Sequence, residues 1–564
     1  MRNFTLLLFA AFLLAACNAP SGDAVAEKPP QQQEQPQPAN APYYQSIAEL
    51  QRALQAGETT SVAITRAFLQ RIEKQDQNGP AINSVIEVNP EAVAIARARD
   101  EARANGKAKG LLFGIPVMVK DNIDTRGPML TTAGSLALVG APAPRDATVV
   151  KKLREAGAIL LGKTNLSEWA NIRSSHSTSG WSARGGLTKN PYVLSHNTCG
   201  SSSGSGAAVS AGFVTVALGT ETDGSIICPS SVNGLVGIKP TLGLVSRAGI
   251  VPIAHSQDTA GPMTRSVADA AAVLTVIAGS DPRDPATAEA NQHATDYTRF
   301  VKPGALQGAR IGVVCNLTGY NPKVDSILND SVAALRAQGA TVVPITLPHI
   351  GDYGEAELTV LLYELKHDLN AYLATREGIK VQTLADVIAF NRAHAAKEML
   401  WFGQDLFIQA QAMGPLTDQA YLDALEKSKR LAGPEGIDAA LAAQQLDVLM
   451  APATGPAWAS DLVVGDNFGG AGYSAAAVAG YPSITVPAGN IHGLPVGMVF
   501  FAGRWSEPTL IGVAYGFEQA TQARIRPQFL DHVPRDLHVP SLAANADTTK
   551  PAPQADIAIC KGEG

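Results

Sequence analysis

Basic character is what this chain has little of: 44 Lys and Arg stand against 50 Asp and Glu in 564 residues, a formal net charge of −6. That balance leaves no electrostatic footprint for nucleic acid, and none is expected as a partner. Cysteine is scarce as well, five residues with no C-x-x-C pair and no metal-ligand spacing. No metal and no organic cofactor are therefore expected. Long apolar runs are missing too: the stretch Phe4–Ala16 falls short of the ~20 residues that a spanning helix needs. Histidines are few, and His196, His255, His349 and His492 stand in no context that suggests a catalytic base.

A hydrophobic content of 46% with 17% charged residues supplies a substantial core, and 52 Gly with 36 Pro imply many turns. Helical spacing of Ile47, Leu50, Leu54, Ile64, Phe68 and Ile72, broken at Gly57–Ser61, predicts two packed helices. Short β-branched runs then alternate with helical segments. Ile115–Val119, Ala158–Leu161, Val214–Leu218, Ile311–Cys315, Thr341–Ile345, Leu446–Ala451 and Ser483–Pro487 read as strands. Ala147–Glu155, Ala207–Gly212 and Asp325–Ala337 read as helices, and Glu355 to Gln445 is mainly helical. The alternation predicts an α/β fold around a large, buried mixed sheet.

Three short segments carry chemistry. Lys120 ends the apolar run Gly114–Val119, Ser201 lies in C-G-S-S-S-G-S-G, and Ser225 lies in G-T-E-T-D-G-S-I-I-C-P. A lysine drawn into apolar surroundings can lose its proton near neutral pH; moving it from about 10.4 to 7 takes roughly 4–5 kcal/mol, which burial can supply. Two readings fit Lys120 taken alone: a general base, or a structural ion pair with Asp121 or Asp124. Ser202 also fits G-x-S-x-G, the nucleophile-elbow pattern, but that pattern needs a strand directly before it, and Pro191–Cys199 is polar and turn-like. In the D-G-S loop, successive backbone N–H groups can converge on one point.

Taken together with G-W-S-A-R-G-G (Gly180–Gly186), S-Q-D-T-A-G-P-M (Ser256–Met263) and R-L-A-G-P-E-G-I-D (Arg430–Asp438), these segments resemble the amidase signature family, and within it the peptide-amidase branch. The resemblance runs from Tyr44 to about Gln528 and implies a single catalytic domain over residues 44–540, with helical layers sandwiching the sheet. It implies a Ser–cis-Ser–Lys unit in which Lys120 is the base, Ser201 the relay on a cis peptide and Ser225 the nucleophile. The backbone N–H groups of Thr222, Asp223, Gly224 and Ser225 would form the oxyanion hole. The expected substrate is a small-molecule or peptide amide, with C-terminal peptide amides favoured, and a monomer is expected. A general aliphatic or aryl amidase and an inert peptide-binding lipoprotein are the alternatives. Asp223 and Ile227–Cys228 depart from the commonest family pattern, in which glycine and an arginine-containing pair stand there. Asp258 is expected to organise its loop; Trp169, Trp181, Tyr363, Trp401 and Phe402 are expected in the core.

At the N-terminus, Leu14–Ala15–Ala16–Cys17 resembles the bacterial lipoprotein box, with residues 1–17 as signal and Cys17 as the lipidated residue. Asn18 after it favours outer-membrane sorting by resemblance to Gram-negative lipoproteins, placing the enzyme in the cell envelope, facing the periplasm. Residues 18–43, rich in Pro and Gln, read as a tether, and 541–564 as a loose tail. Cys199 and Cys228 flank the two serine loops; an oxidising compartment would permit a bond between them, but packing cysteines are the expectation.

Overall fold

Ser46 and Thr60 start the first two helices because each hydroxyl accepts an orphan backbone N–H, from Glu49 and Ala63 respectively. At Ser46 the Glu49 side chain answers by accepting the Ser46 N–H, a complete capping box. Helices Ile47–Ala56 and Ser61–Arg71 follow, joined where Gly57 takes the left-handed conformation. The structure, a computed structural model, describes residues 41–534 and 557–561. The signal segment, Cys17 and most of the tether lie outside the described residues. The tether gives way earlier than position 43: Pro42–Tyr44 already forms a 3-10 turn, with the Tyr43 ring edge-on to Phe68.

Eleven strands form one mixed sheet. Their spatial order is Val85–Val88, Ile159–Thr164, Pro116–Lys120, Val216–Glu221, Thr259–Thr264, Val236–Lys239, Ser483–Ile491, Leu494–Phe501, Val448–Pro452, Arg310–Val314 and Thr341–Ile345. Pro116–Lys120 runs parallel to both its neighbours, and every residue of it and of Val216–Glu221 is buried. Such two-sided burial is why these strands read as continuous apolar runs. From Pro42 onward the described chain clusters as one unit. The helices Gly354–Leu373, Leu384–Ala393 and Asp405–Ala412 pack Leu362, Leu365, Leu369 and Phe407 against Trp169, Ile253 and Ala254. The helical region is thus a cover bearing on loops beside the sheet.

The expectation that Cys199 and Cys228 are packing cysteines fails. Cys199 is bonded to Cys228 and Cys315 to Cys560. Both pairs bring Cα atoms within the usual span of a disulfide, 6.0 and 5.6 Å, across separations of 29 and 245 residues that the sequence alone does not reveal. The second bond also corrects the expectation of a tail loose throughout 541–564: Ala558–Lys561 forms a 3-10 turn, with Ile559 buried in the main core. Among the described residues no helix is long and apolar enough to cross a membrane.

Candidate active site

Register places the site. Val119 pairs with Leu218, so the carboxyl ends of two parallel strands lie level and present Lys120 and Thr220 side by side. Open α/β sheets bind ligands outside such ends. Lys120 Nζ lies 2.7 Å from Ser201 Oγ and 2.9 Å from Thr220 Oγ1, and Asn122 Nδ2 donates to the same Thr220 oxygen at 2.9 Å. Lys120 is fully buried, and that burial lowers its pKa to about 7 against the opposing pull of Asp258 and Glu221. A neutral amine at this distance can accept the Ser201 hydroxyl proton.

The ion-pair alternative does not occur. Asp121 faces Lys163 at 4.0 Å and Arg184 at 3.5 Å, while Asp124 faces Arg376 at 3.5 Å and accepts the Tyr372 hydroxyl at 2.9 Å. Adjacent side chains on an extended strand point to opposite faces, so Asp121 turns away from Lys120.

The Gly200–Ser201 peptide is cis. Ser202, the competing serine, commits its hydroxyl to the backbone of Thr220, donating to the carbonyl at 3.0 Å and accepting the N–H at 3.2 Å. No strand directly precedes this loop, so the nucleophile-elbow geometry is absent. Helix Ser203–Ser210 follows, starting earlier than its periodicity suggests. Its small residues let it bury completely: a Cβ on Gly204 would stand 2.4 Å from the Ser84 carbonyl oxygen.

Ser225 closes the loop after Val216–Glu221. Gly224 needs to be glycine, with φ +81° and a Cβ position 2.2 Å from the Tyr473 ring. Beyond Ser225 the buried Glu221 carboxylate accepts the N–H groups of Ile226 and Ile227 at 2.6 and 2.9 Å. The Ser225 carbonyl accepts the Ser202 N–H at 3.2 Å, and the Cys199–Cys228 bond ties the same two loops a few residues away. Lys120 and Ser201 are 0% exposed and Ser225 is 8% exposed, so all three are buried and Ser225 is the most accessible of them.

Asp258 accepts the Thr222 hydroxyl at 2.6 Å and the N–H groups of Ile253 and Ala254 at 2.8 and 3.0 Å, which holds the loop beside Thr222. Burial raises its pKa to about 6. Trp169, Trp181, Tyr363 and Phe402 are buried, but Trp401 is exposed. A cavity of about 590 Å³ is lined in part by Asn122, Thr220, Thr222 and Asp258, and its lining includes none of Lys120, Ser201 and Ser225. Among the described residues, His255, His367 and Asp368 bring possible metal-ligand atoms within 4.8 Å of one another. Both imidazole Nδ1 atoms lie 2.8 Å from Asp368, and these hydrogen bonds account for the cluster without an ion.

Sequence reasoning does not single out Thr220 and Asn122, which steady Lys120. Thr220 lies inside the G-T-E-T-D-G-S segment, and only the register between two distant strands shows that its hydroxyl meets the lysine.

Likeness to known proteins gives the family. The amidase family model matches residues 63–511, and the chain belongs to the amidase signature family. It is an amide-hydrolysing enzyme. It is similar to the peptide amidase of Stenotrophomonas maltophilia, with 54% identity and a TM-score of 0.83 over 86% of this chain and 98% of that one. A probable amidase of Arabidopsis thaliana is 42% identical over 86% of this chain and 91% of the plant protein. A glutamyl-tRNA(Gln) amidotransferase chain of Chromohalobacter salexigens is 36% identical over 86% of this chain and 98% of its own length.

Proposed function

We propose that this enzyme removes the C-terminal carboxamide of peptides through an acyl-enzyme on Ser225. The observation that carries the mechanism is the buried pair of Lys120 and Ser201, Nζ 2.7 Å from Oγ, beside the loop of Ser225, whose carbonyl accepts the Ser202 N–H at 3.2 Å. Ser225 Oγ attacks the amide carbon while its proton passes through Ser201 to Lys120 Nζ. The C–N bond breaks as that proton returns to the leaving nitrogen, which departs as ammonia. Water then attacks the ester carbonyl, giving up its proton along the same path and releasing the carboxylate and free Ser225. The donors we assign to the substrate oxygen are the backbone N–H groups of Thr222, Asp223, Gly224 and Ser225.

The substrate class rests on the 54% identity to a peptide amidase. Such selectivity requires a closed pocket that admits an NH₂ leaving group and excludes a continuing chain. Ammonia release should be faster, in kcat/KM, for dipeptide carboxamides than for benzamide or simple aliphatic amides, with internal peptide bonds and Asn or Gln side chains untouched. A preference for the small amides would establish the general-amidase reading, which the plant relative favours.

We also propose that the enzyme is exported and lipid-anchored through Cys17. Two disulfides among the described residues suit an oxidising compartment. Mass spectrometry of the mature protein from its host tests this: a lipid on Cys17 supports the anchor, and an unmodified Cys17 refutes it.

A further inference from the structure

Between Trp458 and Ser474 the chain leaves one serine loop and returns to the other. The Trp458 carbonyl accepts the Asn197 N–H at 2.8 Å, and the Asn197 side chain accepts the N–H of Cys199, two residues before Ser201, at 2.7 Å. At the far end the Tyr473 ring packs on Gly224, where a Cβ would stand 2.2 Å from it, and Ser474 donates to Asp223 Oδ2 at 2.6 Å. Halfway along, the Asp466 carboxylate accepts the Ser179 N–H at 3.1 and 3.0 Å. Ser179 in turn lies against Gly200, whose Cβ would stand 3.1 Å from the Ser179 hydroxyl. The segment is thus bonded at its start and middle to the surroundings of Ser201, and at its end to the loop of Ser225.

What this segment shows to solvent is apolar. Asp461 Oδ1 accepts the N–H groups of Val463 and Val464 at 2.8 and 2.9 Å, a turn that fixes the backbone from which both side chains project. At 81% and 77% exposure these are the most exposed large apolar side chains among the described residues. Phe468 is 52% exposed, its ring 5.9 Å from that of Trp458, and Trp458 belongs to one buried cluster with Tyr473, Cys199 and Cys228. Apolar side chains scattered singly over a surface need no explanation, but three on one loop that is tied to both serine loops do.

We propose that Val463, Val464 and Phe468 are specificity-determining residues, taking up the apolar side chains of a peptide substrate while its carboxamide lies at Ser225. Continuity with the serine loops selects this occupant: a peptide held at Ser225 by its last carbonyl extends away over the segments flanking those loops, and this segment is bonded to both. Rigid loops that ring a site are where such selectivity is built. The inference rests on the peptide-carboxamide reading and names the preferred substrates within it, those with apolar residues at the amidated end.

The test is ammonia release from N-acetyl-leucyl-leucinamide and N-acetyl-glycyl-glycinamide, in wild type, Phe468→Ala and the double variant Val463→Ser/Val464→Ser. Wild type should favour the leucine substrate in kcat/KM by about tenfold or more, the discrimination that apolar contacts of this size give. Each variant should cut that ratio severalfold, mainly through KM. A loosened fold would slow both substrates alike and leave the ratio where it was. The double variant alters only exposed side chains, so a wild-type ratio in it overturns the inference whether or not Phe468→Ala folds. If, with the ratio unmoved, the same variants lose self-association in sedimentation or binding to phosphatidylglycerol vesicles, the surface belongs instead to a second copy of the chain or to a membrane. Wild type separates the two levels. Hydrolysis of benzamide with no ammonia from either peptide removes the peptide reading and this inference with it, whereas equal kcat/KM for the two peptides overturns the inference alone.

Discussion

Lys120 shows how one side chain acquires its chemistry from its surroundings. Burial holds its pKa near 7, with Asp258 and Glu221 opposing. The sign of the pH dependence follows: below about 7 the lysine is charged and cannot accept a proton, so kcat/KM should rise about tenfold per pH unit up to that value and level off above it. Residual activity in Lys120→Ala should lack this rise, and its survival there would assign the ionisation to another group. Ser225→Ala should abolish turnover, and Ser201→Ala and Lys120→Ala should each cost several orders of magnitude, with double variants little worse than the poorer single one. Ser202→Ala should cost about 1–2 kcal/mol of stability through its lost bonds to Thr220 and much less activity. These reactive residues were legible because each sits in a distinctive local setting. Thr220 and Asn122 were not, because what they do depends on partners about 100 positions away.

Strands and helices set the residues' relative positions, and their legibility varied for physical reasons. Pro116–Lys120 and Val216–Glu221 announce themselves as uninterrupted buried runs. Thr259–Thr264 does not: it reads T-A-G-P-M-T, and a proline argues against an interior strand. The register explains why Pro262 is tolerated. It pairs with Leu218 on one side, while the ladder to Val236–Lys239 on the other involves only Met263 and Thr264. Gly261 fits because a Cβ there would stand 2.0 Å from the Ile238 carbonyl oxygen. The Cys199–Cys228 bond spans the two serine loops and should stabilise them by about 2–4 kcal/mol, the usual range for a native disulfide. Cys199→Ala/Cys228→Ala should therefore unfold at lower denaturant and lose rate, while the acid limb set by Lys120 stays in place. A double variant as stable as wild type would make the bond incidental.

At the scale of the whole molecule, the sheet presents two carboxyl ends, the helical cover supports the loops beside them, and two disulfides hold segments distant in sequence. The Cys315–Cys560 bond secures Ile559 in the main core, so Cys560→Ser should release the segment 557–561 to protease without affecting catalysis. Core protection unchanged in that variant would show that packing of Ile559 alone suffices. The central claim is that Ser225 carries the acyl group and that Ser201 and Lys120 serve it. Peptide mapping after reaction with a fluorophosphonate at pH 8 tests this most directly. One adduct should appear, on Ser225, absent from Ser225→Ala and formed far more slowly in Lys120→Ala; an adduct on Ser201 or Ser202, or labelling indifferent to Lys120, would contradict the account.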